Sequence, residues 1–108
     1  MGFALFENYS CTQEKSRKYP SLIVKEPINV VYEKLISFIK EKGFESINSN
    51  DEFYDIYGER YGYEISFQLA VDGFNTLLNM SIYGEKKRGR TRKALKRYYE
   101  QVKILFNL

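Results

Sequence analysis

Hydrophobic and polar positions along this chain follow two different periods, and the change from one to the other divides it into elements. Val31, Leu35 and Phe38 with Tyr32, Ile36 and Ile39 recur at helical spacing, while Glu33, Lys34, Lys40 and Glu41 take the other side. This predicts an amphipathic helix, with Asn29 as its N-cap. Gly43 ends it, because only a residue without Cβ sits easily in the left-handed position after a helix, and Phe44 can then fold back on Ile39 as in a Schellman motif. Between Glu45 and Tyr83 the period falls to two. Asn48 to Asp51 reads as a turn, Phe53 to Glu59 as a strand, and Tyr61-Gly62 as a reversal or bulge. Tyr63, Ile65, Phe67, Leu69 and Val71 then face one way and Glu64, Ser66, Gln68, Ala70 and Asp72 the other, the signature of a half-buried antiparallel strand. Asp72-Gly73 supplies a hairpin turn, and in the return strand Leu78, Met80 and Ile82 alternate with Asn79, Ser81 and Tyr83. A helical stripe returns at the end, with Leu95, Tyr98, Tyr99, Val102, Leu105 and Phe106 on one side of a helix from about Thr91 to Phe106.

Before these elements, Leu22, Ile23 and Val24 form a short strand that Pro27, having no N–H for a ladder, brings to a close. Residues 1–20 read as an N-terminal arm or edge strand plus a loop: Phe3 to Phe6 are apolar, and Cys11 to Lys18 are polar and aperiodic. The order is strand, helix, three or four strands, helix. We therefore expect one α+β domain over residues 1–108, its core in 21–108, built as an antiparallel sheet of four to five strands with both helices packed on one face.

The 108 residues comprise 44% hydrophobic and 29% charged residues, which suits one domain burying roughly 12,000 Å² on folding. There is no histidine, so His-based triads, zinc sites and proton relays are excluded. The single cysteine, Cys11, excludes an intramolecular disulfide and a cysteine-cluster metal site, and in its polar segment it reads as a bystander. No metal or cofactor is expected. Paired carboxylates such as Asp51/Glu52 and Asp55/Glu59 carry no mark of burial or mutual orientation, and no set of nucleophile, base and orienting group can be assembled, so the expectation is a protein that is not an enzyme. No apolar run is long enough to span a membrane, and Met1 to Ser10 lacks the layout of a signal peptide, so a cytoplasmic location is expected.

The segment from Leu22 through Pro27 to Val31-Tyr32-Glu33-Lys34-Leu35, with the antiparallel meander and the long closing helix, resembles a shortened SRPBCC (START-like, helix-grip) protein over Leu22 to Phe106. The resemblance implies an apolar ligand cavity between the sheet and the long helix, although this chain has fewer strands than that family. It brings no catalytic residue with it. A ligand space of this kind would be lined by Phe67, Leu69, Leu78, Met80, Tyr98, Val102 and Leu105. The first functional expectation is accordingly a small binding domain that holds an apolar ligand or a protein partner between the sheet and the C-terminal helix.

Two motif-like stretches are set aside. Gly84 to Thr91 matches the spacing of a phosphate-binding P-loop with Arg90 in place of its lysine, but bulky Lys86, Lys87 and Arg88 crowd a loop that needs slim residues, and too little chain follows for a parallel sheet. Tyr61-Gly62-Tyr63 resembles the aromatic strand of RNA-recognition domains, yet its tyrosines share parity with the core face.

Charge changes the picture more than either motif. Lys86, Lys87, Arg88, Arg90, Arg92, Lys93, Lys96 and Arg97 place eight cations and no acid in twelve residues, leaving the remaining chain with nine basic and fourteen acidic residues. The net charge of +3 thus conceals a strongly dipolar molecule. Cations at a helix N-terminus oppose the helix dipole, at a cost of some tenths of a kcal/mol each. The run is therefore a candidate anion site for the phosphates of nucleic acid or for an acidic surface. Two alternatives remain: a solvated helix end paired with the acids of Glu41, Glu45, Asp51, Glu52, Asp55, Glu59 and Glu64, and head-to-tail self-association of a dipolar surface.

Overall fold

A computed structural model describes residues 9–12, 17–60, 62–84 and 88–108, with the backbone alone described at residues 9, 10 and 88–90. Its elements are β1 (Tyr9–Cys11), β2 (Leu22–Val24), α1 (Ile28–Glu41), β3 (Glu45–Asn50), β4 (Asp55–Arg60), β5 (Tyr63–Asp72), β6 (Asn75–Gly84) and α2 (Arg88–Leu105). The fold is α+β, as the two periods predict. The strands form one antiparallel sheet in the order β1–β6–β5–β4–β3, and β2 also pairs with β6. Strands β1 and β2 thus share one edge of β6, the first opposite Ser81 to Tyr83 and the second opposite Thr76 to Leu78. Tyr9–Cys11 forms an edge strand that reaches Cys11, where the sequence reading has a polar loop; the apolar stretch Phe3 to Phe6 lies outside the described residues.

Strand parity sets the core. Ile65, Phe67 and Leu69 of β5 lie opposite Ile82, Met80 and Leu78 of β6, and all six are buried. Val31, Leu35, Phe38 and Ile39 of α1 and Leu95, Tyr98, Tyr99 and Val102 of α2 join them in a single cluster. Both helices therefore lie on the same side of the sheet, α1 over β4, β5 and β6 and α2 over β6 and β1. The close approach of α1 depends on Gly58, where a Cβ would stand 3.2 Å from that of Phe44 and 3.5 Å from Ile39 Cδ1.

The end of α1 follows the sequence reading. Phe44 N–H donates to Ile39 C=O and Gly43 N–H to Lys40 C=O, both at 3.0 Å, with Gly43 at φ +85°, which is a Schellman motif. Leu108 and Asn107 repeat the motif after α2, with Asn107 at φ +58° in the left-handed position.

Four local expectations are corrected. The N-cap of α1 is Pro27, not Asn29: its backbone is extended, and its carbonyl accepts the N–H groups of Val30 and Val31 at 3.1 Å, so the helix already contains Asn29. Asn48 to Asp51 is not a turn, because Asn48, Ser49 and Asn50 continue β3, and the reversal falls at residues 51–54 with Tyr54 at φ +55°. Strand β3 is an exposed edge without alternation, so no hydrophobic pattern announces it; a bulge between Glu45 and Asn48 interrupts its ladder, a known way of blunting a sheet edge. Val71 has the parity of the core but is 67% exposed, since β4 pairs with β5 no further than Gln68 and leaves the end of β5 without a neighbour on that side. The closing helix begins at Arg88, a turn before Thr91.

The tight contact at Gly58 gives a direct check. Gly58→Val should overpack the interface between β4 and α1 and lower the stability measured by urea unfolding by about 1–3 kcal/mol; unchanged stability would show that α1 is free to shift.

Candidate anion-binding surface

The position of α2 follows from its buried stripe. Thr91, Ala94, Leu95, Tyr98 and Tyr99 face the sheet, which leaves Arg92, Lys93, Lys96 and Arg97 on the exposed side. The helix starts close to the sheet because Gly84 has no side chain: a Cβ there would be 3.0 Å from Thr91 Cγ2. The loop before β2 is fastened to the same helix, where Tyr19 meets Tyr99 edge-on with ring centroids 5.2 Å apart and the Tyr99 hydroxyl donates to Pro20 C=O at 2.8 Å. Lys18 is carried along, its Nζ 5.6 Å from the Tyr19 ring centroid.

Together these contacts form a hollow of about 460 Å³ lined by Lys18, Tyr19, Arg92, Lys93, Lys96, Leu95 and Cys11. Three of the eight cations in the basic run therefore converge with Lys18, which the sequence reading did not single out. The only signal for it was its place beside Arg17 in a polar loop. Arg97 does not line this hollow and lies close enough to Tyr63 to influence its ionisation. Lys86 and Lys87 fall outside the described residues, as do the side chains of Arg88 and Arg90.

None of Arg92, Lys93, Lys96 and Arg97 forms an ion pair with a described residue. The expected pairing of the helix end with the chain's own acids is thus absent among the described residues. Lys34 and Glu26 do pair, at 2.8 Å, but between α1 and the segment before it.

Glu45, Glu59 and Glu64 line a second hollow of about 390 Å³ with Arg60, Gly62, Tyr63 and Tyr83 at the β4–β5 turn. Beside it the Tyr63 and Tyr98 hydroxyls hydrogen-bond at 3.1 Å. Burial, this hydrogen bond and the electrostatic effect of Tyr98 push the Tyr63 phenol well above the ordinary tyrosine range, with Arg97 and Arg60 pulling it partly back. Burial, then Tyr19, also raises Tyr99. Among the described residues, no group of three Asp, Glu or Cys side chains is placed to hold a metal ion.

The residues expected to line an apolar ligand space are brought together, but inside the core. Phe67, Leu69, Leu78, Met80, Tyr98 and Val102 are buried in one cluster, and Leu105 is half-buried against it. Neither hollow is lined by them. No helix among the described residues is long and apolar enough to cross a membrane. Comparison with protein-family models, with curated proteins and with solved structures finds no match.

The raised phenols fix a sign for alkaline pH. Unfolded tyrosines ionise near pH 10, whereas Tyr63 and Tyr99 keep their protons in the folded chain, so the folded state binds more protons and stability falls as pH rises above about 10. Urea midpoints measured from pH 9 to 11 should decline, and the decline should be shallower in the Tyr63→Phe, Tyr99→Phe double variant. An equal decline in both proteins would remove these two phenols as its source.

Proposed function

We propose that this protein is a non-enzymatic binding domain that holds nucleic acid by its phosphates on the exposed side of α2. The observation that carries this reading is the convergence of Lys18 with Arg92, Lys93 and Lys96 around one hollow, without an ion-pair partner for the three helix cations among the described residues. Bringing like charges together is unfavourable in the isolated chain. A phosphate backbone reverses this, because each phosphate is attracted by several cations and its condensed counterions are released. Among the described residues, no acidic side chain lines the hollow to repel a polyanion. Charge contacts alone recognise the backbone and not the bases, so binding without strong sequence preference follows.

The alternative occupant, a small apolar ligand or protein partner between the sheet and α2, is the reading implied by the helix-grip resemblance. It has less support, because Phe67, Leu78, Met80 and Val102 are each at most 1% exposed and fill that space with one another and with both helices. An apolar molecule retained by the purified protein in native mass spectrometry would put it first.

Anisotropy of a labelled random oligonucleotide tests the principal reading. Four phosphate contacts should weaken binding about a hundredfold between 50 and 200 mM salt. Replacing Arg92, Lys93 and Lys96 together by Gln should remove most of the affinity at 50 mM and flatten the salt slope by two to three, without loss of helix in circular dichroism. Absence of binding at 50 mM salt, or affinity unchanged in the triple variant, overturns the proposal; vesicles of anionic lipid in the same assay distinguish an acidic membrane surface from nucleic acid.

A further inference from the structure

We infer that the face of the sheet turned away from both helices docks α2 of a second copy of this chain. Both helices pack on one side, and the register identifies every position of β3–β6 that points to the other. Those outward positions carry five carboxylates, Glu45, Asp55, Glu59, Glu64 and Asp72, and not one lysine or arginine. An antiparallel sheet can leave one face without helices, so the lack of a helix on that side indicates nothing by itself. The single sign of the charges on these outward positions does, while Arg60, at an inward position of β4, lines the same hollow as Glu45, Glu59 and Glu64. Glu45 lies opposite Glu59, and Glu59 opposite Glu64, on neighbouring strands, where like charges directly across a pair are destabilising. None of these three forms an ion pair with a described residue.

The complement is carried by the same chain but on the wrong side to reach it. Arg92, Lys93, Lys96 and Arg97 are exposed on a helix that covers the opposite face of the sheet, and they too form no ion pair with a described residue. The sheet keeps the two sets apart within one molecule and offers both to others. Their dimensions agree. From residue 92 to 97 a helix rises about 8 Å, and three adjacent strands place the outer two of the three glutamates about 10 Å apart. The two surfaces differ, so the contact is heterologous. Each docked copy still presents one free acidic face and one free cationic helix, which gives a growing row or a ring instead of a two-fold dimer. With a Debye length of about 10 Å at 0.1 M salt, this contact belongs to low ionic strength. It shares its cations with the nucleic-acid reading, but it needs the acidic face as well and can fail separately.

Sedimentation velocity of the full chain over a range of concentrations at 50 and 500 mM salt reads the assembly. At 50 mM the sedimentation coefficient should climb with concentration past that of a dimer, and at 500 mM it should be that of the monomer. Two charge-reversed variants, Glu59→Lys with Glu64→Lys and Arg92→Glu with Lys93→Glu, should each remain monomeric at 50 mM, with circular dichroism confirming that they fold. Mixed in equal amounts, they should associate again, because one supplies the intact helix and the other the intact acidic face, and the two reversed surfaces are complementary as well. A wild-type monomer at every concentration at 50 mM overturns the inference, as does association that survives in either variant or a folded mixture that does not pair. Oligonucleotide anisotropy keeps the two ideas apart: the Glu59, Glu64 variant loses assembly while retaining any nucleic-acid binding, and the Arg92, Lys93 variant loses both.

Discussion

Strand β6 is the constraint on which the other elements depend. It is ladder-bonded to β5 along its whole length on one edge and to β1 and β2 on the other, and its inward residues Thr76, Leu78, Met80, Ile82 and Gly84 are all buried. Burying Leu78, Met80 and Ile82 contributes about 1.5–3 kcal/mol each. Two short strands can share one edge only if the backbone between them is satisfied in another way. Thr12 does this: its N–H donates to Met80 C=O at 2.9 Å, and its hydroxyl oxygen accepts Met80 N–H at 3.0 Å. Ser21 bonds to the Asn79 side chain just before β2 begins. The edge of β6 is thereby closed by side chains where strand pairing stops, and the loop carrying Lys18 and Tyr19 is held beside α2.

The parts of this fold legible in the sequence are those where burial writes a period. β5 and β6 alternate because one face packs on helices, and α2 shows its stripe because one side lies on the sheet. The Schellman ending of α1 was legible from Gly43 and Phe44, since glycine is the residue most favoured in the left-handed position after a helix. Where burial imposes nothing, the sequence is silent. The exposed residues of β3 form a strand only through pairing with β4. Val71 shows the converse failure: its parity is right, but a neighbouring strand ends before it, and sequence alternation carries no information about where a neighbour stops.

The site divides in the same way. The basic run was evident as composition, and the helix phase then separates Arg92, Lys93, Lys96 and Arg97 from the buried stripe. Lys18 is about seventy residues distant in sequence and joins them only because Tyr19 and Pro20 are fastened to Tyr99. A contact of that kind has no local signature. The acidic residues were expected to neutralise the helix end, and sequence proximity to the sheet made that plausible; parity decides against it, since Glu59 and Glu64 alternate with inward residues and so leave the sheet on the side away from α2.

This separation explains how a chain with nearly balanced charge can carry two charged faces without ion pairs to one another among the described residues. Between them lies a core of close-packed apolar and aromatic side chains, where ion pairing would have to overcome desolvation. The polar groups that enter this layer include the Thr76 and Thr91 hydroxyls and phenols, all of which can be buried neutral: Tyr63 and Tyr98 satisfy each other across the sheet–helix boundary, and Tyr99 satisfies a backbone carbonyl. Tyrosine in place of a charged residue lets the interior extend almost to Arg97 and Arg60 without bringing a charge inside. Among the described residues these two sets of opposite charges do not meet, and so both faces keep their attraction for whatever approaches from outside.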